Sequence, residues 1–137
     1  MKVTCLLKDF GASESGRIYS KEAMEKAVKD YMSMPKHKRL GELSPKGDDM
    51  NINLSNVSHK IENMAFIGNK LYCEVELLDT PCGKEAQELI KNDLPLHLSP
   101  RMIAQPIYEL DEDGNPTNKI IGYDNLDIIS VNIIDPQ

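Results

Sequence analysis

Lys70-Leu71-Tyr72-Cys73-Glu74-Val75-Glu76-Leu77-Leu78 is the stretch whose reading decides the fold. Leu71, Cys73, Val75 and Leu77 alternate with Tyr72, Glu74, Glu76 and Leu78. Successive side chains of a strand point to opposite sides, so this alternation gives a strand with one apolar face and one mostly polar face. Upstream, Val57 to Phe66 faces it across Ile67-Gly68-Asn69, a glycine-bearing turn of hairpin length.

Working outward, residues 2 to 8 are rich in strand formers and end at a Gly, Ser and Asp loop, Asp9 to Gly16. Ser20 can cap a helix over Lys21 to Met32, where Ala23, Met24, Ala27, Val28 and Tyr31 share one helical face and Pro35 lies beyond the end. Leu40-Gly41-Glu42-Leu43 reads as a short strand, and Ser44 to Asn53 as a polar loop. Thr80 followed by Pro81 starts a second helix with Ala86, Leu89 and Ile90 as its buried stripe, ended by Asn92-Asp93. The chain returns extended through Leu94 to Ala104. Ile107 to Leu110 and Lys119 to Tyr123 flank a turn at Asp111 to Pro116, and Leu126 to Ile134 is a core strand. The expectation is an α+β fold over residues 1 to 137 as one domain: a mostly antiparallel sheet or barrel interrupted by about two or three helices. The last apolar run has no cap or tail after Asp135-Pro136-Gln137, the pattern of a chain that continues in its natural protein.

With 137 residues, 40% hydrophobic and 28% charged, the chain can bury a single core and is too apolar for disorder. Its net charge of −6 argues against a nucleic-acid partner, which would require clustered Lys and Arg. The local basic run Lys36 to Arg39 reads as a solvated loop. Cys5, Cys73 and Cys82 are an odd number without C-x-x-C spacing, so neither a disulfide framework nor a zinc site is expected, and a reducing compartment fits. The opening apolar run is too short for a signal peptide or membrane span. No membrane partner and no cofactor are expected, and a cytosolic setting is.

Chemistry centres on Leu96-His97-Leu98-Ser99-Pro100-Arg101, where Ser99 is the candidate nucleophile. His97 lies two residues away, on the same side of a strand, but Cα atoms about 6 to 7 Å apart carry diverging side chains that cannot meet at the roughly 3 Å a general base requires. His37 sits in a basic, solvent-facing loop. His59 is therefore the better base, although a histidine between Val57 and Ile61 on an apolar face is more often a hydrogen-bonded core residue. A base also needs a third group to fix its tautomer, and Asp124 and Asp127 are candidates. Arg101, or the backbone N–H groups beside it, could stabilise an oxyanion; its bland reading is a surface arginine. Glu42, Glu74 and Glu76 could pair as carboxylates, but Glu74 and Glu76 are the polar face of their strand. No phosphate loop or H-E-x-x-H occurs, and Asp111 to Asn115 lacks the glutamate of a calcium loop.

Five motifs stand in order along the chain: Ser15-Gly16-Arg17-Ile18-Tyr19, Gly41-Glu42-Leu43, Val57-Ser58-His59-Lys60-Ile61, Leu78-Asp79-Thr80-Pro81-Cys82-Gly83-Lys84 and Leu98-Ser99-Pro100-Arg101. Together they resemble the prohead (capsid maturation) serine proteases of tailed phages, especially the T-even type, which share a clan with herpesvirus assemblin. The resemblance implies an assemblin-like fold, Ser99 as nucleophile and His59 as base. Assemblin's third member is a second histidine on a later strand, whereas this chain has none after His97; Asp127 is the preferred substitute and Asp124 the second. Ser44-Pro45 stands where family members often show His-Pro. The resemblance further implies a serine endopeptidase acting inside the assembling prohead, in the host cytoplasm, on scaffold or core protein, capsid protein and itself. Cleavage would follow an acidic residue, for which Arg101, Lys60 and Arg39 are the available cations. It also implies a homo-oligomer whose activity awaits assembly or self-cleavage. The alternative, motivated by the incomplete triad, is an inactive scaffold or core-assembly module with the same fold.

Overall fold

A computed structural model describes residues 1–11, 19–45 and 51–134. Most of the Ser15 to Tyr19 motif lies outside the described residues, as does the Asp135 to Gln137 end. The elements run β1 (Lys2–Asp9), α1 (Lys21–Met32), β2 (Leu40–Glu42), β3 (Val57–Ile67), β4 (Lys70–Leu77), α2 (Pro81–Lys91), β5 (His97–Leu110) and β6 (Pro116–Ile134).

Both helices begin where their caps require. Ser20 Oγ accepts a hydrogen bond from Ala23 N at 3.1 Å, and Thr80 Oγ1 accepts one from Gly83 N at 3.0 Å, each satisfying a donor that a helix start leaves unpaired. Helix α1 buries Met24, Ala27, Val28 and Tyr31, as its spacing predicts. On β4 the alternation holds: Leu71, Cys73, Val75 and Leu77 are buried, while Tyr72, Glu74 and Glu76 are half-buried on the other face. The turn between β3 and β4 tightens to Gly68-Asn69, with Gly68 at φ 62°, a left-handed backbone that glycine adopts without a Cβ clash.

Strands β1 to β4 form one antiparallel sheet in the order β1-β4-β3-β2, and β5 and β6 form a separate antiparallel ribbon. The fold is α+β with a mostly antiparallel sheet core. The ribbon meets the sheet along β2. Leu43 bridges Ile133 in parallel, and Ser44 N donates to Ile133 O at 2.7 Å. One hydrophobic cluster, including Met24, Ile61, Val75, Ala86, Leu98, Ile128 and Val131, joins the helices, sheet and ribbon.

Two features differ from the sequence reading. The separate extended pieces between Leu94 and Ile134 merge into two long strands. Register shifts near Ile103, Ile107 and Tyr108, together with Asn125 at φ 51°, absorb the polar interruptions as bulges inside the ribbon. Arg39, read as part of a solvated basic loop, is buried. Its guanidinium donates to the carbonyls of Ile61 at 2.9 Å, Glu62 at 3.3 Å and Met34, tying the end of α1 to β3.

Candidate active site

His59 is fully buried on β3, opposite Gly41 of β2. Its ring crosses β2 at that glycine and reaches β6. Nε2 lies 2.7 Å from Val131 O, and Nδ1 lies 2.6 Å from Ser58 Oγ. A carbonyl can only accept, so Nε2 carries the proton; the neutral ring then accepts from the Ser58 hydroxyl at Nδ1. Burial lowers the ring's pKa from 6.5 to about 4, against the smaller opposing effect of the Val131 carbonyl, so His59 is neutral at pH 7. Gly41 makes the crossing possible: a Cβ there would stand 2.0 Å from His59 Nε2 and 2.4 Å from Val131 O.

Ser99 lies on β5 opposite Asn132, and Pro100 lies opposite Val131. The residue that receives the His59 ring is thus the next position along β6 from Ser99's partner. Because opposed residues of an antiparallel pair share a face and alternate residues do too, Ser99, Arg101, Ser130 and Asn132 occupy one face of the ribbon. Ser130 and Asn132 are buried there, an unusual polar pair on a core strand. Glu42, 3% exposed, closes the group. Its backbone N–H donates to Asn132 Oδ1 at 3.0 Å, and its Oε2 lies 3.5 Å from Arg101 Nη1.

The structure brings the His59 ring from β3 to the carbonyl of Val131, next along β6 from Asn132, the residue opposite Ser99, and puts Arg101 on the Ser99 face; no hydrogen bond joins Ser99 to the ring, whose two nitrogens are engaged by Ser58 and Val131. It does not bring Asp127 or Asp124 to the ring. Both are exposed, opposite Ile103 and Gln105, and Asp127 lies four residues along β6 from Val131, about 13 Å at the rise of a strand. The group that orients Nδ1 is Ser58. His97 is exposed at the start of β5, and His37 is exposed beyond α1.

Against known structures, the chain superposes on the bacteriophage T4 capsid assembly protease, gp21, with a TM-score of 0.76 at 20% identity, covering 98% of this chain and 81% of that one. The chain shares that protease's fold. No protein-family model and no curated protein sequence matches it.

Other candidates for chemistry are committed elsewhere. Burial pushes the Cys73 thiol up to about 12 and raises that of Cys5, so neither is a ready thiolate. Lys60 lies 3.6 Å from Glu76 and 3.9 Å from Glu62, and Arg39 is bound to carbonyls; Arg101, itself paired with Glu42, is the named cation on the Ser99 face. No group of three or more His, Cys, Asp or Glu among the described residues could hold a metal, and no described helix is long and apolar enough to cross a membrane. Sequence reasoning passed over Ser58 and Gly41, and weighed Glu42 only as one of three carboxylates that could pair. The signal available for Gly41 was its place in a short apolar strand, where a glycine marks close backbone approach.

Proposed function

We propose that residues 1–137 form one protease domain, a serine endopeptidase of a viral prohead that cleaves scaffold or core protein, capsid protein and itself during capsid maturation. The observation that carries this reading is the approach of His59 to Val131, beside the partner of Ser99, in a chain with the fold of a capsid assembly protease. In this reading Ser99 Oγ attacks the scissile carbonyl, His59 takes its proton and returns it to the leaving amine, and water hydrolyses the acyl-enzyme. Arg101 and the neighbouring backbone N–H groups stabilise the oxyanion.

The resting hydrogen bonds define the step that activates the base. With Nε2–H donated to Val131 O, the ring has no lone pair for Ser99. Moving the proton to Nδ1 lets that nitrogen donate to Ser58 Oγ and leaves Nε2 bare, with nothing to offer a carbonyl and free to accept from Ser99. Ser58 thus serves both tautomers, because a hydroxyl can donate or accept.

A serine-directed fluorophosphonate probe, applied to the protein and to particles assembled with scaffold and capsid protein, tests the reading. Labelling is expected in the wild type and lost in Ser99→Ala, with substrate cleavage reduced by about 10⁴-fold or more in Ser99→Ala and His59→Ala. Undiminished cleavage in both variants sinks the assignment. A second reading, a catalytically inactive assembly module, is favoured by one observation: both ring nitrogens of His59 are engaged away from Ser99. It predicts no labelling even in assembled particles.

A further inference from the structure

We propose that β2 is a clasp holding the base-bearing sheet against the nucleophile-bearing ribbon, with Glu42 as the positioning residue that sets Arg101 on the Ser99 face. This rests on the serine endopeptidase reading of the site. Four observations meet on three consecutive residues. Gly41 opens the path by which His59 reaches Val131. The backbone N–H of Glu42 holds Asn132, the residue opposite Ser99. The carboxylate of Glu42 lies 3.5 Å from Nη1 of Arg101, two residues beyond Ser99, an ion pair with no hydrogen bond between those two atoms. Leu43 bridges Ile133.

A buried carboxylate is a poor choice for simple cohesion. Removing two charges from water costs several kcal/mol per ion, and an apolar pair of equal volume often stabilises a fold as well or better. Glu42 is 3% exposed and the Arg101 side chain 14%, so the pair carries that cost, beside a buried Ser130 hydroxyl that has no hydrogen-bond partner among the described residues. What the carboxylate supplies and an apolar residue cannot is direction. It anchors a long, flexible cation at one place on the Ser99 face, and oxyanion stabilisation depends on such prior placement. Glu42 touches neither substrate nor reacting atoms; it acts through Arg101.

The test compares Glu42→Gln, Arg101→Met and the double variant Glu42→Met with Arg101→Met, each in the full chain. Readouts are thermal melting, fluorophosphonate labelling rate, kcat and KM on capsid or scaffold protein, and exchange of the His59 Nε2 proton by NMR. Glu42→Gln is expected to lower the labelling rate and kcat about 100-fold, the scale of a misplaced catalytic environment, with KM little changed. The apolar double variant should regain folding but label no faster than Arg101→Met. Labelling of Glu42→Gln at the wild-type rate, or recovery of wild-type labelling by the double variant, overturns the proposal. If wild-type Ser99 does not label at all, the serine reading fails on its own. The clasp is then read from the ring proton, which exchanges faster in Glu42→Gln if β2 holds the two parts together and at the wild-type rate if it does not.

Discussion

His59 lies fully buried, held by a hydroxyl and a carbonyl, and this makes the protein sensitive to acid. Its folded pKa of about 4 is below the ordinary 6.5, so between those values the unfolded chain binds the proton that the folded chain refuses. Stability contributed by the neutral ring is complete above pH 6.5 and falls as pH drops towards 4, by about 3 kcal/mol across that window. Denaturant midpoints measured from pH 4 to 7 should show this slope, and His59→Gln should flatten it while removing the proposed base. An unchanged slope in His59→Gln would place the acid sensitivity elsewhere. The same depressed pKa predicts that any Ser99 labelling persists to lower pH than a solvated histidine permits, with its acid limb near 4 rather than 6.5.

At the scale of elements, two glycines set the separations that side chains would otherwise forbid. Gly83 lets α2 approach the sheet, since a Cβ there would stand 2.0 Å from Leu78 O and 2.8 Å from Ser58 O. Gly41 does the same for His59. Gly41→Ala should destabilise the protein by about 3 kcal/mol, the upper range for overpacking, because the obstacles are a buried ring and a backbone carbonyl rather than a movable side-chain end. Denaturant unfolding reads the cost; a loss under about 0.5 kcal/mol, within the range of surface changes, would mean that the ring does not cross here. Elements whose signals are local were legible in the sequence. Ser20 and Thr80-Pro81 mark both helix starts, and the alternation of Leu71 to Leu77 marks β4 and its buried face. Ser99 and His59 could be proposed as a pair only from strand motifs that resemble a known family. The partners of His59 could not. Val131 lies 72 residues away, and Glu42 and Arg101 are joined only by the pairing of β2 with the ribbon, which no local pattern encodes. Asp127 looked suitable by chain order alone, and the rise of β6 carries it away from the ring.

Across the whole molecule, support is unevenly distributed along the ribbon. Its near half supplies Leu98, Leu126, Ile128, Val131 and Ile133 to the core, whereas residues 105 to 121 are exposed apart from a half-buried Thr117. An isolated two-stranded hairpin is marginally stable at best, so this far half borrows its order from the near half and should open without disturbing it. Replacing residues 109 to 119, between the paired Tyr108 and Ile120, by Asn-Gly leaves the register of the near half intact. The shortened protein should lose less than about 1 kcal/mol, whereas Ile128→Ala, a deletion at a site 3% exposed, should cost about 2 to 5 kcal/mol. Amide exchange should divide at the same place, fast beyond Gln105 and slow from His97 to Arg101 and from Leu126 to Ile133. A shortened protein that fails to fold, or uniform protection along both strands, would show the ribbon to be one cooperative unit. With the near half rigid and clasped by β2, the arrangement of Ser99, Arg101 and His59 should be indifferent to the tip, so the shortened protein should label at Ser99 at the wild-type rate.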